Sequence, residues 1–145
     1  MKKRYIAETV ALSFLGKPYY WGGDDPVRGF DCSGYVIEIL KSVGLLPRHG
    51  DWTAAGLMAM FKNQSVADAG EGRLVFWENS EGRIIHVEFC LNGELSIGAS
   101  GGGSKTITEQ AAIDSNAYIK IRPIYSRPRV AGFVDPWLTN GPIEA

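Results

Sequence analysis

A chain of 145 residues with an apolar share of 45% is long enough to bury one core, and it reads as a single domain over 1–145. Basic residues number 15 and acidic residues 16, so no strong field points to nucleic acid or to an anionic membrane surface. Two cysteines are too few for a disulfide scaffold or a clustered zinc site, and no apolar run reaches the roughly 20 residues that span a bilayer.

Met1-Lys2-Lys3-Arg4 carries the charge of a secretory signal's front, but Glu8 interrupts the apolar stretch such a signal needs, so no cleaved leader is expected. Ile6, Val10 and Phe14 repeat every four residues, as do Ala7, Ala11 and Leu15, which predicts a helix over 3–15 stopped by Gly16 and Pro18. Tyr19 to Pro26 mixes large aromatics with turn formers and reads as a loop leading to Cys32. From Cys32 to Val43, Val36, Ile39, Leu40 and Val43 share one helical face, with Asp31 at the N-cap and Gly44 at the left-handed stop. A third helix is expected from Thr53 to Phe61.

Beyond it the pattern changes to runs of β-branched and aromatic residues at Leu74–Trp77, Ile84–Leu91, Glu94–Ala99 and Tyr118–Ile124, with Asn92-Gly93 as a hairpin turn. Helices followed by strands predict an α+β fold with a mostly antiparallel sheet. Gly98 to Ser104 reads as a flexible loop. Ser104-Lys105 is not a phosphate loop, because the glycines precede Ser-Lys and no strand-to-helix Gly-Lys-Ser/Thr follows. The segment 126–145, with Pro128, Pro136 and Pro142, reads as an irregular strap over the domain.

A thiol attacks only as thiolate, and the positive end of a helix favours that form, so Cys32 is placed as a nucleophile. A base must lie within reach, and the chain offers two histidines. His49 sits in a polar loop between Arg48 and Gly50 and reads as a solvated imidazole. His86 lies in a strand whose alternation sets Ile85, Val87, Phe89 and Leu91 on one face and His86, Glu88 and Cys90 on the other. Neither residue alone decides the chemistry.

Pro18-Tyr19-Tyr20-Trp21-Gly22-Gly23, Gly29-Phe30-Asp31-Cys32-Ser33-Gly34-Tyr35-Val36, Gly72-Arg73-Leu74-Val75-Phe76-Trp77 and His86-Val87, in this order, resemble the NlpC-type cell-wall cysteine peptidases. The resemblance covers roughly residues 3 to 125 and implies a papain-like core in which the cysteine helix packs on a sheet that presents the histidine. It implies hydrolysis of an amide in the peptidoglycan stem peptide, typically between D-γ-glutamyl and a diamino acid. Cys32 is then the nucleophile and His86 the base, and neither a metal nor another cofactor is required. It further implies that Tyr19 lines the site and helps stabilise the oxyanion, and that Asp31 and Ser33 help hold the amino end of the stem peptide. For those two, capping and local hydrogen bonding are sufficient explanations as well.

Similar enzymes orient the histidine with a third polar residue, often His, Asn or Gln, about twelve positions on, where this chain has Gly98. A two-residue turn at Asn92-Gly93 would set His86 opposite Ala99, which also lacks an acceptor side chain. Glu88, Ser96, Ser100, a backbone carbonyl or a water are the open alternatives. The missing residue motivates a second reading, an idle wall-binding or phage tail-assembly module of the same fold. A third is a Cys-His amidase or acyltransferase acting on a nonwall amide. Cys32 and Cys90 are expected to stay unlinked. The short chain without a leader suggests a protein made in the cytoplasm that acts at the wall, phage-encoded and delivered with tail or lysis proteins.

Overall fold

The computed structural model describes residues 2–19, 24–25, 29–102 and 106–138, with the backbone alone for Asp24, Asp25 and Gly29. Tyr20 to Gly23, Pro26, Ser104 with Lys105, and Pro142 lie outside the described residues.

The four-residue spacing of Ala7 and Ala11 buries both completely on the inner face of α1 (Lys3–Ser13). Small side chains there let the helix that carries Tyr35 approach closely, and the Tyr35 hydroxyl donates to Ala11 O at 2.8 Å. The helix ends two residues before the expected Leu15. Gly16 adopts φ +85° and donates its N–H to Ile119 O at 2.9 Å, which turns the chain toward the sheet. Two short strands, β1 (Asp24–Asp25) and β2 (Gly29–Phe30), pair antiparallel and deliver the chain to α2 (Cys32–Ser42).

Val36, Ile39 and Leu40 of α2 are fully buried, so this helix is the centre of the main core. The third helix, α3 (Ala54–Met60), is capped by Thr53, whose Oγ1 accepts from Gly56 N at 3.0 Å. Then follow β3 (Ser65–Val66), β4 (Leu74–Glu78), β5 (Ile84–Cys90), β6 (Leu95–Ser100), the short helix α4 (Glu109–Asp114), β7 (Tyr118–Pro123) and β8 (Val130–Val134). The architecture is α+β: one antiparallel sheet of six strands in the order β3-β8-β4-β5-β6-β7, with the helical core on one face. No helix among the described residues is long and apolar enough to cross a membrane.

Two differences from the sequence reading bear on the site. The expected irregular strap from Ser126 contains β8, which inserts between β3 and β4. To reach that place the chain crosses from the β7 edge over the outer face of the sheet, burying Ile124 with Val75, Trp77 and Cys90. This second cluster explains why Leu74 to Trp77 is apolar without alternation: both faces of β4 are covered. At the end of β8, Asp135 receives Arg4 at 3.1 Å and Arg73 at 3.3 Å, tying the first helix to the last strand.

The second difference is a shift of the β5–β6 register by one residue. Asn92 Oδ1 accepts from Glu94 N and Leu95 N, each at 2.8 Å, so the turn holds three residues rather than two. Phe89 therefore pairs with Ile97 and Cys90 with Ser96. Continuing this register sets Glu88 opposite Gly98 and His86 opposite Ser100, not Ala99.

Candidate active site

Cys32 opens α2 because Asp31 stops the extended chain there. The Asp31 carboxylate accepts from Gly34 N at 2.6 Å and from the Ser33 hydroxyl at 3.4 Å, satisfying the helix start. Ser33 is buried and Asp31 half-buried; neither lines the groove into which Cys32 opens. Tyr19 stands across from Cys32, fixed by its own N–H to Ala117 O at 3.1 Å and by Phe30 N to Pro18 O at 3.3 Å. Gly102 packs on the Tyr19 ring so closely that a Cβ there would lie 2.7 Å from Cε1.

His86 comes from the middle of β5, beside Trp77 on β4, with ring centroids 5.3 Å apart. Tyr19, Cys32 and His86 line one open groove of about 620 Å3, together with Ser100, Gly101 and Gly102 and, on the far wall, Arg122 and Arg127. The fold thus brings together the three residues expected to carry the chemistry. His49 lines a separate surface hollow with Arg48, Glu38 and Lys41.

Of the alternatives for a third polar group, the structure places Glu88 on the imidazole. His86 Nε2 is 2.6 Å from Glu88 Oε2, and Glu88 is completely buried. The strand alternation that set His86 and Glu88 on one face brings them together, and Ser96 has a different part. Its hydroxyl donates to Glu88 Oε1 at 2.7 Å, while Arg122 Nη2 donates to Oε2 at 3.0 Å from the neighbouring strand. Ser96 and Arg122 are themselves cross-strand partners. Three adjacent strands thereby hold one carboxylate, and Gly98 leaves the space it fills: a Cβ there would lie 2.8 Å from Glu88 Cδ. Sequence reasoning missed Arg122. The available signal was its alternation with Lys120 on a strand that lies one strand beyond that of the buried acid, which needs the correct register to be seen.

Burial alone would raise the Glu88 carboxyl, but His86, Arg122 and Ser96 outweigh it and hold the group below the usual carboxylate value, hence ionised. Burial pushes the His86 imidazole below its usual value; the bond to Glu88 opposes this, and the guanidinium groups of Arg127 and Arg122 add to it. The imidazole is therefore neutral at pH 7. An ionised Glu88 accepts only, which puts the proton of the neutral ring on Nε2 and leaves Nδ1 with a free lone pair.

The thiol departs from expectation. Burial pushes Cys32 up to about 11, and the backbone N–H groups of Val87 and Ser33 recover part of this, against the charges of Asp31 and Glu88. The helix start alone does not make a resting thiolate here. The Tyr19 hydroxyl is also raised, by burial and then by Cys32 and Asp31, so it stays a donor. Both cysteines are free; Cys90 is buried in the outer cluster.

A family model described as NlpC/P60 matches residues 16–124, which include both Cys32 and His86. The bifunctional muramidase/DL-endopeptidase CwlT of Bacillus subtilis is 42% identical over 95 residues, 61% of this chain and 28% of that protein. The gamma-D-glutamyl-L-lysine dipeptidyl-peptidase of Bacillus subtilis is 40% identical over 92 residues, 61% of this chain and 29% of that protein. The chain thus spans less than a third of the length of these curated relatives. Among solved structures, the NlpC/p60 domain of the peptidoglycan hydrolase SagA superposes with a TM-score of 0.65 at 27% identity, covering 90% of this chain and 97% of that one.

Proposed function

Since the chain belongs to the NlpC/P60 family, we propose that it is a cysteine endopeptidase hydrolysing an amide in the peptidoglycan stem peptide, of the D-γ-glutamyl-diamino acid type. The observation that carries this reading is the shared groove: a helix-start thiol and a strand imidazole face one open cleft, with the imidazole's far nitrogen held by a buried carboxylate.

The reaction starts from neutral partners. As the substrate carbonyl enters the groove, His86 Nδ1 takes the Cys32 proton while sulfur bonds to the carbonyl carbon, so general-base transfer replaces a preformed thiolate–imidazolium pair. The ionised Glu88, fixed by Ser96 and Arg122, stabilises the imidazolium that forms. The Tyr19 hydroxyl and the Cys32 N–H donate to the oxyanion. The intermediate collapses, the C–N bond breaks, and His86 gives its proton to the leaving amine. Water, deprotonated by His86, then attacks the thioester carbonyl, the C–S bond breaks to release the acid, and the imidazolium returns its proton to the Cys32 sulfur. Asp31 and Ser33 support the amino end of the peptide beyond the groove.

Gly98 was the motive for reading the chain as an idle wall-binding or tail-assembly module, and Glu88 removes that motive by supplying the third polar group from another strand position. Incubating purified muropeptides with the wild type and with Cys32→Ala tests the reading. A new free amine from the wild type alone is expected; wall binding by both without any released amine would favour the idle module. Thioester formation with other acyl donors, with muropeptides untouched, would favour a nonwall amidase. The phage-encoded origin is a separate proposition: tail or lysis genes beside this one are expected, and a neighbourhood without them overturns that part alone.

A further inference from the structure

The far wall of the groove carries two arginines. Arg122, Ser126, Arg127 and Pro128 line it, and no carboxylate lines the groove among the described residues. Arg122 is matched by Glu88, but Arg127 has no carboxylate partner within ion-pair distance among the described residues. Its position is nonetheless fixed. Its carbonyl accepts from Trp77 Nε1 at 3.3 Å, and its guanidinium carbon lies 5.9 Å from the centre of the Trp77 ring, the same ring that packs against His86. Arg127 is half-buried; burial and the neighbouring Arg122 work against its charge, and the Glu88 carboxylate, already engaged by His86, Ser96 and Arg122, offsets this only in part. A cation anchored beside the reacting imidazole, partly desolvated and without a contacting carboxylate of its own among the described residues, is arranged for an anion that arrives with the substrate.

We propose that Arg127, backed by Arg122, forms a carboxylate-binding subsite that makes the enzyme prefer a stem peptide with a free carboxylate beside the scissile amide over the carboxamide. This rests on the endopeptidase reading and deepens it. Two carboxylates of such a peptide fit the chemistry. A γ-linked glutamyl residue leaves its α-carboxylate free on the acyl side, and a dicarboxylic diamino acid leaves its second carboxylate free on the amine side. An arginine fork pairs with either in two parallel hydrogen bonds, which a carboxamide cannot accept fully.

Three synthetic stem peptides separate the sources: one with both carboxylates free, one amidated at the glutamyl α-carboxyl, and one amidated at the diamino acid. kcat/KM, read from released amine, is expected to fall at least about tenfold for one carboxamide in the wild type, and that carboxamide identifies the carboxylate bound. In Arg127→Gln the ratio between the two peptides collapses toward one, chiefly through KM for the carboxylate; Arg127→Lys keeps part of it. Equal wild-type rates on all three peptides, or an Arg127→Gln loss of the same size on all three, would overturn the subsite. Binding of the same peptides to Cys32→Ala and to Cys32→Ala/Arg127→Gln reads the subsite without turnover. A carboxylate preference lost with Arg127 upholds it even where no peptide is cleaved, an outcome that sinks the endopeptidase reading alone. Equal affinities in both proteins sink the subsite.

Discussion

Gly98 and Glu88 complement one another in space: the Cβ that Gly98 lacks would lie 2.8 Å from Glu88 Cδ, inside the volume the carboxylate uses to reach His86. The polar group on His86 comes from β5 itself, and the glycine at the facing position of β6 leaves the room it occupies. Glu88→Ala should therefore lower kcat on the order of 10²-fold. Adding Gly98→Asn should restore part of it, since the amide oxygen grows into the vacated space. Gly98→Ala in the otherwise unchanged chain should destabilise by about 1–3 kcal/mol and lower turnover, because the methyl group overpacks against Glu88. Steady-state rates and thermal melts of the variants check this; a Glu88→Ala enzyme as fast as the wild type would remove Glu88 from the mechanism.

Rate against pH reports the neutral imidazole. His86 sits below its usual 6.5, so the acid limb of kcat/KM should have its midpoint below pH 6.5. Since Cys32 is pushed up to about 11, its alkylation by iodoacetamide should keep accelerating past about pH 9. A plateau near neutrality would mean a resting thiolate and a different first step.

Stability should fall on acidification in two stages with one sign. A depressed folded value means that the unfolded chain takes up protons first. The His86 contribution is present above pH 6.5 and fades as pH drops through its folded value. The Glu88 contribution is present above 4.5 and fades below it in the same way. Thermal midpoints across pH 7.5 to 3.5 should decline from about pH 6.5 downward, and Glu88→Gln should flatten the lower part.

Much of this arrangement was legible because its signals are local. Asp31 and Gly44 bracket the α2 pattern, and strand alternation alone put His86 and Glu88 on one face. The choice of Glu88 over Ser96 or Ser100 was not legible, because it hangs on a single residue of register. Asn92 caps a three-residue turn with its own side chain, and a two-residue reading of Asn-Gly moves Gly98 away from Glu88. β8 was hidden for another reason. It is five residues long, holds Gly132 and lies between prolines at 128 and 136; its partners, β3 and β4, are distant in sequence. With β8 unseen, the crossing segment that carries Arg127 to the groove could not be placed either.

Tyr19 is positioned by a glycine as well. The Gly102 backbone lies outside the left-handed region, so Gly102→Ala acts only through the ring it strikes. It should lower kcat by roughly tenfold, less than the 10²- to 10³-fold expected when Tyr19→Phe removes the oxyanion donor. KM should change little in Tyr19→Phe. A kcat unchanged by Tyr19→Phe would leave the ring a packing role only.

The most direct measurement is mass spectrometry of the protein quenched in acid during muropeptide turnover, followed by mapping of the modified peptide. An acyl fragment of the stem peptide in thioester linkage to Cys32 is expected, absent in Cys32→Ala and longer-lived in Glu88→Ala, where the imidazole that activates water is less well held. Amine release at the wild-type rate by Cys32→Ala, with no adduct at that residue, would contradict it.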